Sequence, residues 1–423
     1  MNKYKAYPSY KDSGVEWLGN IPKDWIIRRS KYIYKELHER SITGAEDLLS
    51  VSEYYGVKPR YSVMSDGEHI SRADSLIDYK KCYKNDLVMN IMLAWKRGLG
   101  ITNYTGIVSP AYCVFRSNNL VHPPYMHYLF RTNKYTTNFK SKSSGVIDSR
   151  LRLYPEMFGT VETILPPLPE QKTIADFLDK ATSKIDKTIE QQTKLIELLK
   201  EKRQAVISHA VTKGLDPNAP MKDYRLDWVC QIVRGNSAFK KDELLESGKY
   251  VALQYGKTYK IEEVGKEFNF YVNDDFFKVG QTVQYGDTIL ISTSETVKDL
   301  GHSCFYARKD IGLIGGEQIL LKPDQAIVFD KFLYYSSRVF CPKLGKYSTG
   351  LKVFRFNTDD LKNIFISIPN VREQKAIADY LDKKTAQIDT LVDKAKQSIE
   401  LLKEKRTAII SAAVTGKIDV RGT

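Results

Sequence analysis

The chain of 423 residues has few cysteines and no paired ones. Cys82, Cys113, Cys230, Cys304 and Cys341 are odd in number and far apart, and no Cys-x-x-Cys occurs. That argues against a disulfide framework or a zinc site and for reduced thiols in a cytoplasmic chain. Long apolar runs are also missing. No stretch of about 18 apolar residues is present to span a bilayer. The opening MNKYKAYPSYKDSG lacks the apolar segment a signal peptide needs. The expectation is a cytoplasmic protein with no membrane partner.

Catalytic signatures are scarce too. No G-x-x-x-x-G-K-[ST] loop is present for ATP, and Thr415-Gly416-Lys417 reads as a helix end without the upstream glycine. An adenine methyltransferase needs an acidic or amide residue before Pro-Pro-aromatic, to accept hydrogen bonds from a flipped base. The near match His122-Pro123-Pro124-Tyr125 has the wrong first residue, and MHYLFRTNKY after it suits a helix begun by proline. His122 and His127 are five apart, the wrong interval for one helical face, and have no Cys or Glu to complete a zinc set. Gly-x-Ser-x-Gly does not occur. The expectation is no catalytic residue, no metal site and no cofactor in this chain.

Positive charge is plentiful. A net charge of +14 and a pI near 9.2 favour an anionic partner, because Lys and Arg gain by displacing counterions from a polyphosphate. The sign alone leaves a membrane surface, or plain solubility, as alternatives. Roughly +8 of the excess falls in residues 1–165 and roughly +2 in residues 218–365.

The chain repeats itself. Residues 170–216, EQKTIADFLDKATSKIDKTIEQQTKLIELLKEKRQAVISHAVTKGLD, align without a gap on residues 373–419, EQKAIADYLDKKTAQIDTLVDKAKQSIELLKEKRTAIISAAVTGKID. Roughly 27 of the 47 positions are identical. Each copy follows a proline-containing stretch and meets no Pro or Gly until Gly214 or Gly416, so each reads as one long helix. Ile185, Ile189, Gln192, Ile196, Leu199, Arg203 and Val206 alternate at spacings of four and three. So do Ile388, Val392, Ala395, Ile399, Leu402, Arg406 and Ile409. That is a coiled-coil seam. About 38 residues at 1.5 Å each give a rod of roughly 57 Å. The nearest partner for each seam is its duplicate, and antiparallel pairing is expected; docking on another subunit, or a role as ordinary domain linkers, is the alternative. The duplicated run Lys200-Glu201-Lys202-Arg203 and Lys403-Glu404-Lys405-Arg406 is expected to face outward in part, as two equivalent docking surfaces for an identical partner.

The globular segments echo each other more faintly. Lys11–Trp17 precedes one and Lys222–Trp228 the other. Asp86-Leu87-Val88-Met89 and Asp287-Thr288-Ile289-Leu290 read as buried strand starts. Val161–Leu165 and Ile364–Ile368 read as strands leading into the helices. The heads have diverged while the helices have not, which suits two readers of different targets on one frame.

These residues resemble the specificity subunits of type I restriction–modification systems over essentially the whole chain. The resemblance rests on YKDSGVEWLGNIPKDW at 10–25, GIVSPAYCVF at 106–115, PPLPEQKTIADFLDK at 166–180, and ELLKEKR-x-A-x-I-S-x-A-VT at 197–212 and 400–415. The second head departs from the pattern, with MKDYRLDW for its start and IPNVREQ at its junction. The resemblance implies an α+β fold with an internal pseudo-twofold repeat. Two mixed α/β target-recognition domains (1–165 and 218–368) would be separated by a central helix (166–217) and a distal helix (369–423) in an antiparallel coiled coil. It further implies that each domain reads one half of a split, asymmetric site in double-stranded DNA. Two modification subunits would methylate adenine N6 with S-adenosylmethionine, and restriction/translocase subunits would use ATP and Mg. The rod would fix the spacing between half-sites.

Base reading calls for Arg to guanine and Asn or Gln to adenine, while Lys, Arg, Ser and Thr on phosphates fix register. In the first head the candidates are Lys96, Arg97, Lys142, Ser143, Ser144, Gly145, Arg150 and Arg152. In the second they are Ser294, Thr296, Lys298, Lys346, Ser348, Thr349, Gly350, Lys352 and Arg355. For each basic residue the alternative is a solvated surface charge. Trp95 reads as a partly buried anchor. Close approach of backbone to DNA is the expected reason for the Ser-Gly and Thr-Gly turns. Two other functions stay open at this point: a stand-alone DNA-binding regulator, and an enzyme with an unrecognised nuclease or methyltransferase site.

Overall fold

The computed structural model describes residues 4–63, 75–236, 239–259, 261–297, 300–350 and 353–422. The chain forms two compact units, Met1–Gln192 with Gln397–Thr423, and Thr193–Lys396. Each unit is one globular head together with one half of each long helix.

In the first unit β1 (Ile26–Arg29), β2 (Tyr34–Leu37), β3 (Leu49–Ser52), β4 (Gly56–Pro59), β5 (Leu87–Asn90), β6 (Leu99–Ile101) and β7 (Tyr112–Ser117) come first. Strands β2-β7-β5-β6 make an antiparallel sheet. Side chains alternate across a strand. Leu87, Met89, Cys113 and Phe115 therefore enter the main core, while Val88 and Val114 face Leu49, Val51 and Val57 of the β3–β4 hairpin. Cover on both faces explains why β5 is apolar without alternation. Helices α1 (Pro123–Phe130) and α2 (Asn133–Ser141) close the main core. Phe115, Phe130, Phe139 and Phe158 meet there, with ring centroids 5.0 Å apart for Phe115–Phe158 and 5.8 Å for Phe130–Phe139. Each such ring contributes about 2–3 kcal/mol of burial. β8 (Glu162–Leu165) pairs with β1 and delivers the chain to α3 (Leu168–Lys213), a helix of 46 residues.

The second unit repeats the scheme. Beside a smaller sheet of Tyr250–Leu253, Tyr271–Val272, Thr282–Val283 and Gly312–Ile314, its strands include β9 (Lys222–Arg225), β10 (Cys230–Arg234), β11 (Glu263–Val264), β12 (Thr288–Ile291), β13 (Ser303–Tyr306) and β14 (Gln318–Pro323). Strands β10-β14-β12-β13-β11 form the larger sheet, in which the β11–β13 pair is parallel and the other pairs antiparallel; β9 stands outside it. Then follow α4 (Asp330–Phe340), β15 (Phe365–Ile368), which pairs with β9, and α5 (Val371–Val414) of 44 residues.

Within each unit the long helices run antiparallel. In the first, Arg406 Nε donates to Asp186 at 2.8 Å, and the loop after α5 returns to the start of α3, where Gly416 packs on Pro22 and Trp25. In the second, Arg203 pairs with Asp389 at 3.0 Å, and Glu373 accepts from the amides of Leu215 and Asp216. The seam positions Ile185, Leu199, Ile388, Val392, Ala395 and Ile409 are buried, whereas neighbouring helix surface is exposed. The period of 3.5 read from sequence is therefore the contact pattern of the helices.

The duplication extends to individual hydrogen bonds. Gln171 Oε1 accepts from the His122 amide at 2.8 Å, and its Nε2 donates to the carbonyls of Leu120 and Pro166. Gln374, 203 positions later, accepts from the Phe329 amide at 2.7 Å and donates to Ile327 and Pro369. Tyr128 donates to Asp179 at 2.6 Å, and Tyr335 to Asp382 at 2.7 Å. These bonds explain why the glutamine of each EQK opening and the aspartate of each DK pair recur.

All five cysteines are buried and free, and burial pushes Cys82, Cys113 and Cys230 up to about 12. Among the described residues no helix is long and apolar enough to cross a membrane.

Candidate nucleic-acid interface

In the first head the sheet ends in two neighbouring loops. After β5 the chain makes a 3-10 turn, Ala94–Lys96, and reverses at Arg97, whose φ of +66° is left-handed. Gly98 closes the turn, its amide 2.7 Å from the Leu93 carbonyl; a Cβ there would lie 2.5 Å from that of Leu93. The second loop follows α2. Ser144 and Arg152 exchange backbone bonds at 2.9 and 3.0 Å, and Leu153 N–H reaches the Ile91 carbonyl at 2.8 Å. That bond sets the two loops side by side. Lys96 and Lys140 both lie over the Trp95 ring, 4.8 and 5.0 Å from its centroid, and the indole N–H donates to the Met92 carbonyl. Trp95 is half-buried; its ring carries two cations that face outward.

Lys96, Ser144, Gly145 and Arg150 are exposed, and Arg97, Lys142, Ser143 and Arg152 half-buried. Arg97 also donates to Asn133 at 2.5 Å, Ser143 spends its hydroxyl on the Phe139 carbonyl, and Arg152 reaches the Arg150 carbonyl at 3.4 Å. Asp148 pairs with Lys140 at 2.8 Å, and Val146 at the loop tip is 97% exposed.

The second head builds an equivalent loop differently. Thr349 and Arg355 exchange backbone bonds at 3.0 Å each, and Thr293–Ser294 pairs antiparallel with Phe354–Arg355. Arg355 lies 3.6 Å from Glu317, which also bonds Thr293. Thr296, Lys346, Thr349, Gly350 and Arg355 are exposed, with Lys346 over the Tyr347 ring. Ser294 is only 1% exposed; its hydroxyl meets Tyr259 and the Thr296 amide, so it shapes the loop from inside. Half-buried Ser348 bonds the Gly345 carbonyl. Lys298 and Lys352 lie outside the described residues.

The turn glycines and the duplicated charge run each have partners within the fold. The glycines of the Ser-Gly and Thr-Gly turns are required by the loops themselves. Gly145 has φ +154° and Gly350 φ +120°, and a Cβ would sit 2.7 Å from the Arg150 carbonyl or 2.0 Å from that of Val353. The duplicated charge run also divides. Lys200, Glu201 and Lys202 and their copies are exposed, whereas Arg203 and Arg406 turn to acids of the opposite helix. Arg203 additionally meets Glu262 from its head.

Sequence reasoning missed Arg131 and the function of His127. Arg131 caps α1 and is half-buried. Its guanidinium donates to the carbonyls of Ser52, Glu53 and Tyr54 on the β3–β4 turn, and to those of Arg97 and Leu99. Burial, with Arg97 and Arg406 nearby, lowers its pKa to about 10, still fully charged at neutral pH. His127, four residues earlier on the same face, accepts from the Ile101 amide at 3.3 Å. Burial, then the Arg131 and Arg406 charges, hold it down at about 3, so it stays neutral. The five carbonyls belong to residues scattered over half the head, and no local pattern announces them.

Residues 34–198 and 218–401 match the family model described as the type I restriction modification DNA specificity domain. The chain belongs to this family. The type I restriction enzyme MjaVIII specificity subunit of Methanocaldococcus jannaschii is 25% identical over 431 aligned residues, covering 95% of this chain and 94% of the relative. The StySPI specificity subunit of Salmonella potsdam is 22% identical, over 73% of this chain and 68% of its own. A chain from a study of assembly and conformational transition in a type I restriction–modification system superposes with a TM-score of 0.72. It has 16% identity and covers 93% of this chain and 98% of its own. The HsdS subunit of Thermoanaerobacter tengcongensis gives 0.56 at 17% identity, covering 94% and 98%. This specificity subunit supplies DNA recognition, and the catalytic activities of type I systems lie in partner subunits.

Proposed function

We propose that this specificity subunit reads a split, asymmetric site in double-stranded DNA, one half with each head, in the cytoplasm. It presents that site to two modification subunits, which methylate adenine N6 with S-adenosylmethionine, and to restriction/translocase subunits that use ATP and Mg. One observation carries the reading. The helix roots repeat bond for bond, Gln171 with Gln374, Asp179 with Asp382 and Asp186 with Asp389, while the loops of the two heads differ in residues and partners. A repeated frame suits two identical partners, and unlike heads suit two different half-sites.

The proposed contacts are Lys96, Arg97, Lys142, Ser144, Gly145, Arg150 and Arg152 in the first head, and Thr296, Lys346, Thr349, Gly350 and Arg355 in the second. Reconstitution with the neighbouring modification subunit tests the proposal. Native mass measurement should give two modification subunits per chain, and methyl transfer to duplex DNA should require this chain. A single bound subunit, or transfer of equal rate without this chain, would refute it.

A further inference from the structure

We propose that Arg131 and His127 fasten the tip of the β3–β4 hairpin to the turn carrying Lys96 and Arg97, making Glu53–Tyr55 and that turn one rigid base-reading edge. This rests on the proposed DNA-reading function and adds a site and a positioning pair to it.

A guanidinium has five donors in a fixed plane, which lets one side chain hold several carbonyls at once. Arg131 serves three successive carbonyls, Ser52 to Tyr54, at 3.3, 2.8 and 3.1 Å, and those of Arg97 in the facing turn and Leu99 at the start of β6 at 2.6 and 2.8 Å. Among the described residues all its hydrogen bonds go to backbone carbonyls, so its charge stays uncompensated by a carboxylate. Beneath it, β4 and β6 approach so closely that a Cβ on Gly100 would lie 3.2 Å from Gly56 Cα. A Cβ on Gly56 would lie 2.8 Å from the His127 ring. The hairpin is thus seated on the helix by two glycines and pinned by one arginine.

What is pinned has the chemistry of a reader. Tyr54 is 84% exposed, so its ring and hydroxyl lie open to a base edge or a phosphate. Glu53 brings an acceptor suited to the cytosine amino group, and Lys96 and Arg97 bring donors suited to guanine. Lys58, over the Tyr55 ring, and Arg60 add positive charge along the same hairpin and the turn after it.

The second head shows that the slot is not dictated by the frame. Tyr128 and Tyr335 fill equivalent positions against Asp179 and Asp382, which aligns Arg131 with Arg338. Arg338 donates instead to the Glu262 carboxylate at 2.9 Å. The same arginine is a structural ion pair in one head and a loop clamp in the other, as expected of a device for one half-site.

The test uses the complex with the modification subunit and a randomised duplex library, reading the methylated motif of wild type, Tyr54→Ala and Arg131→Lys. Tyr54 is exposed, so its variant folds; lysine keeps the charge of Arg131 and cannot span both turns. Both variants should relax positions in one half-site only, by about tenfold in discrimination, with the other half-site and subunit assembly unchanged. An unaltered motif for Tyr54→Ala would overturn the reading edge. An Arg131→Lys motif unchanged, or relaxed equally in both halves, would overturn the clamp. A wild-type complex that methylates no defined motif would instead overturn the function on which the inference rests.

Discussion

Replacing Gln171, itself fully buried, with leucine removes three hydrogen bonds. The leucine fills similar volume, so the loss is chiefly polar. The His122 amide and the carbonyls of Leu120 and Pro166 are left without this partner. An orphaned buried group costs about 1–3 kcal/mol. The Pro166 bond is fully buried, whereas the His122 amide and the carbonyl of half-exposed Leu120 can regain water in part, so the loss should be about 1–2 kcal/mol, roughly a 5- to 30-fold shift in the local opening equilibrium. Gln374→Leu should cost the same in the second unit, because it orphans the Phe329 amide and two carbonyls in the same geometry. The two sets share no partner, so the double variant should lose about the sum. Hydrogen exchange at the amides of 120–122 and 327–330, with urea unfolding, measures both effects. A Gln171→Leu variant that loses protection at its own root beside a Gln374→Leu variant that loses none at its own contradicts the equivalence of the two roots. A loss below about 0.5 kcal/mol in both would refute the view that these glutamines hold the heads on the helices.

Other outcomes follow from the ion pairs, the buried acid and the loops. Arg203→Ala should cost about 1–2 kcal/mol and Arg406→Ala less than about 1, since Arg203 is 14% exposed between Glu262 and Asp389 and Arg406 38% exposed against Asp186 alone; denaturant midpoints in equal size would contradict this. Burial raises Asp287 to about 6, above its unfolded value near 3.9. The fold therefore prefers the protonated acid, and its stability contribution, complete below about pH 4, is lost as pH rises through 6. Asp287→Asn keeps an acceptor for the Gln284 amide and should gain on the order of 2 kcal/mol over wild type between pH 4 and 7.5; a difference independent of pH would refute the assignment. Lys96→Ala and Lys346→Ala should each lower the slope of log Kd against log salt by about 0.9 if each meets one phosphate; unchanged slopes in a salt titration would remove them from the interface. Gly350→Ala must open its turn, given 2.0 Å to the Val353 carbonyl, and should weaken DNA binding without changing assembly with the modification subunit.

The helices were legible because their pattern is local and printed twice. Spacings of four and three marked the residues now found buried between α3 and α5, and uninterrupted runs gave their extents. The buried strand starts at Leu87 and Thr288 were legible for a similar reason, since cover on both faces leaves an apolar run. The loop tips were found through Ser, Gly and basic residues, but their internal wiring was not. Ser294 and Ser143 look like surface donors in sequence, and only three-dimensional neighbours such as Tyr259 and Phe139 claim their hydroxyls. The spacing placed Arg203 on the seam, but its pairing with Glu262 was not legible because that acid lies 59 positions away. Arg131 escaped notice for the same cause: its five acceptors lie 32 to 79 residues distant.

The most direct test of the central claim is a genome-wide map of N6-methyladenine by single-molecule sequencing. The host should lack methylation of its own and express the neighbouring modification subunit with or without this chain. The account predicts one split, asymmetric motif methylated only when the chain is present. No methylated motif, with both proteins soluble and associated, would contradict it.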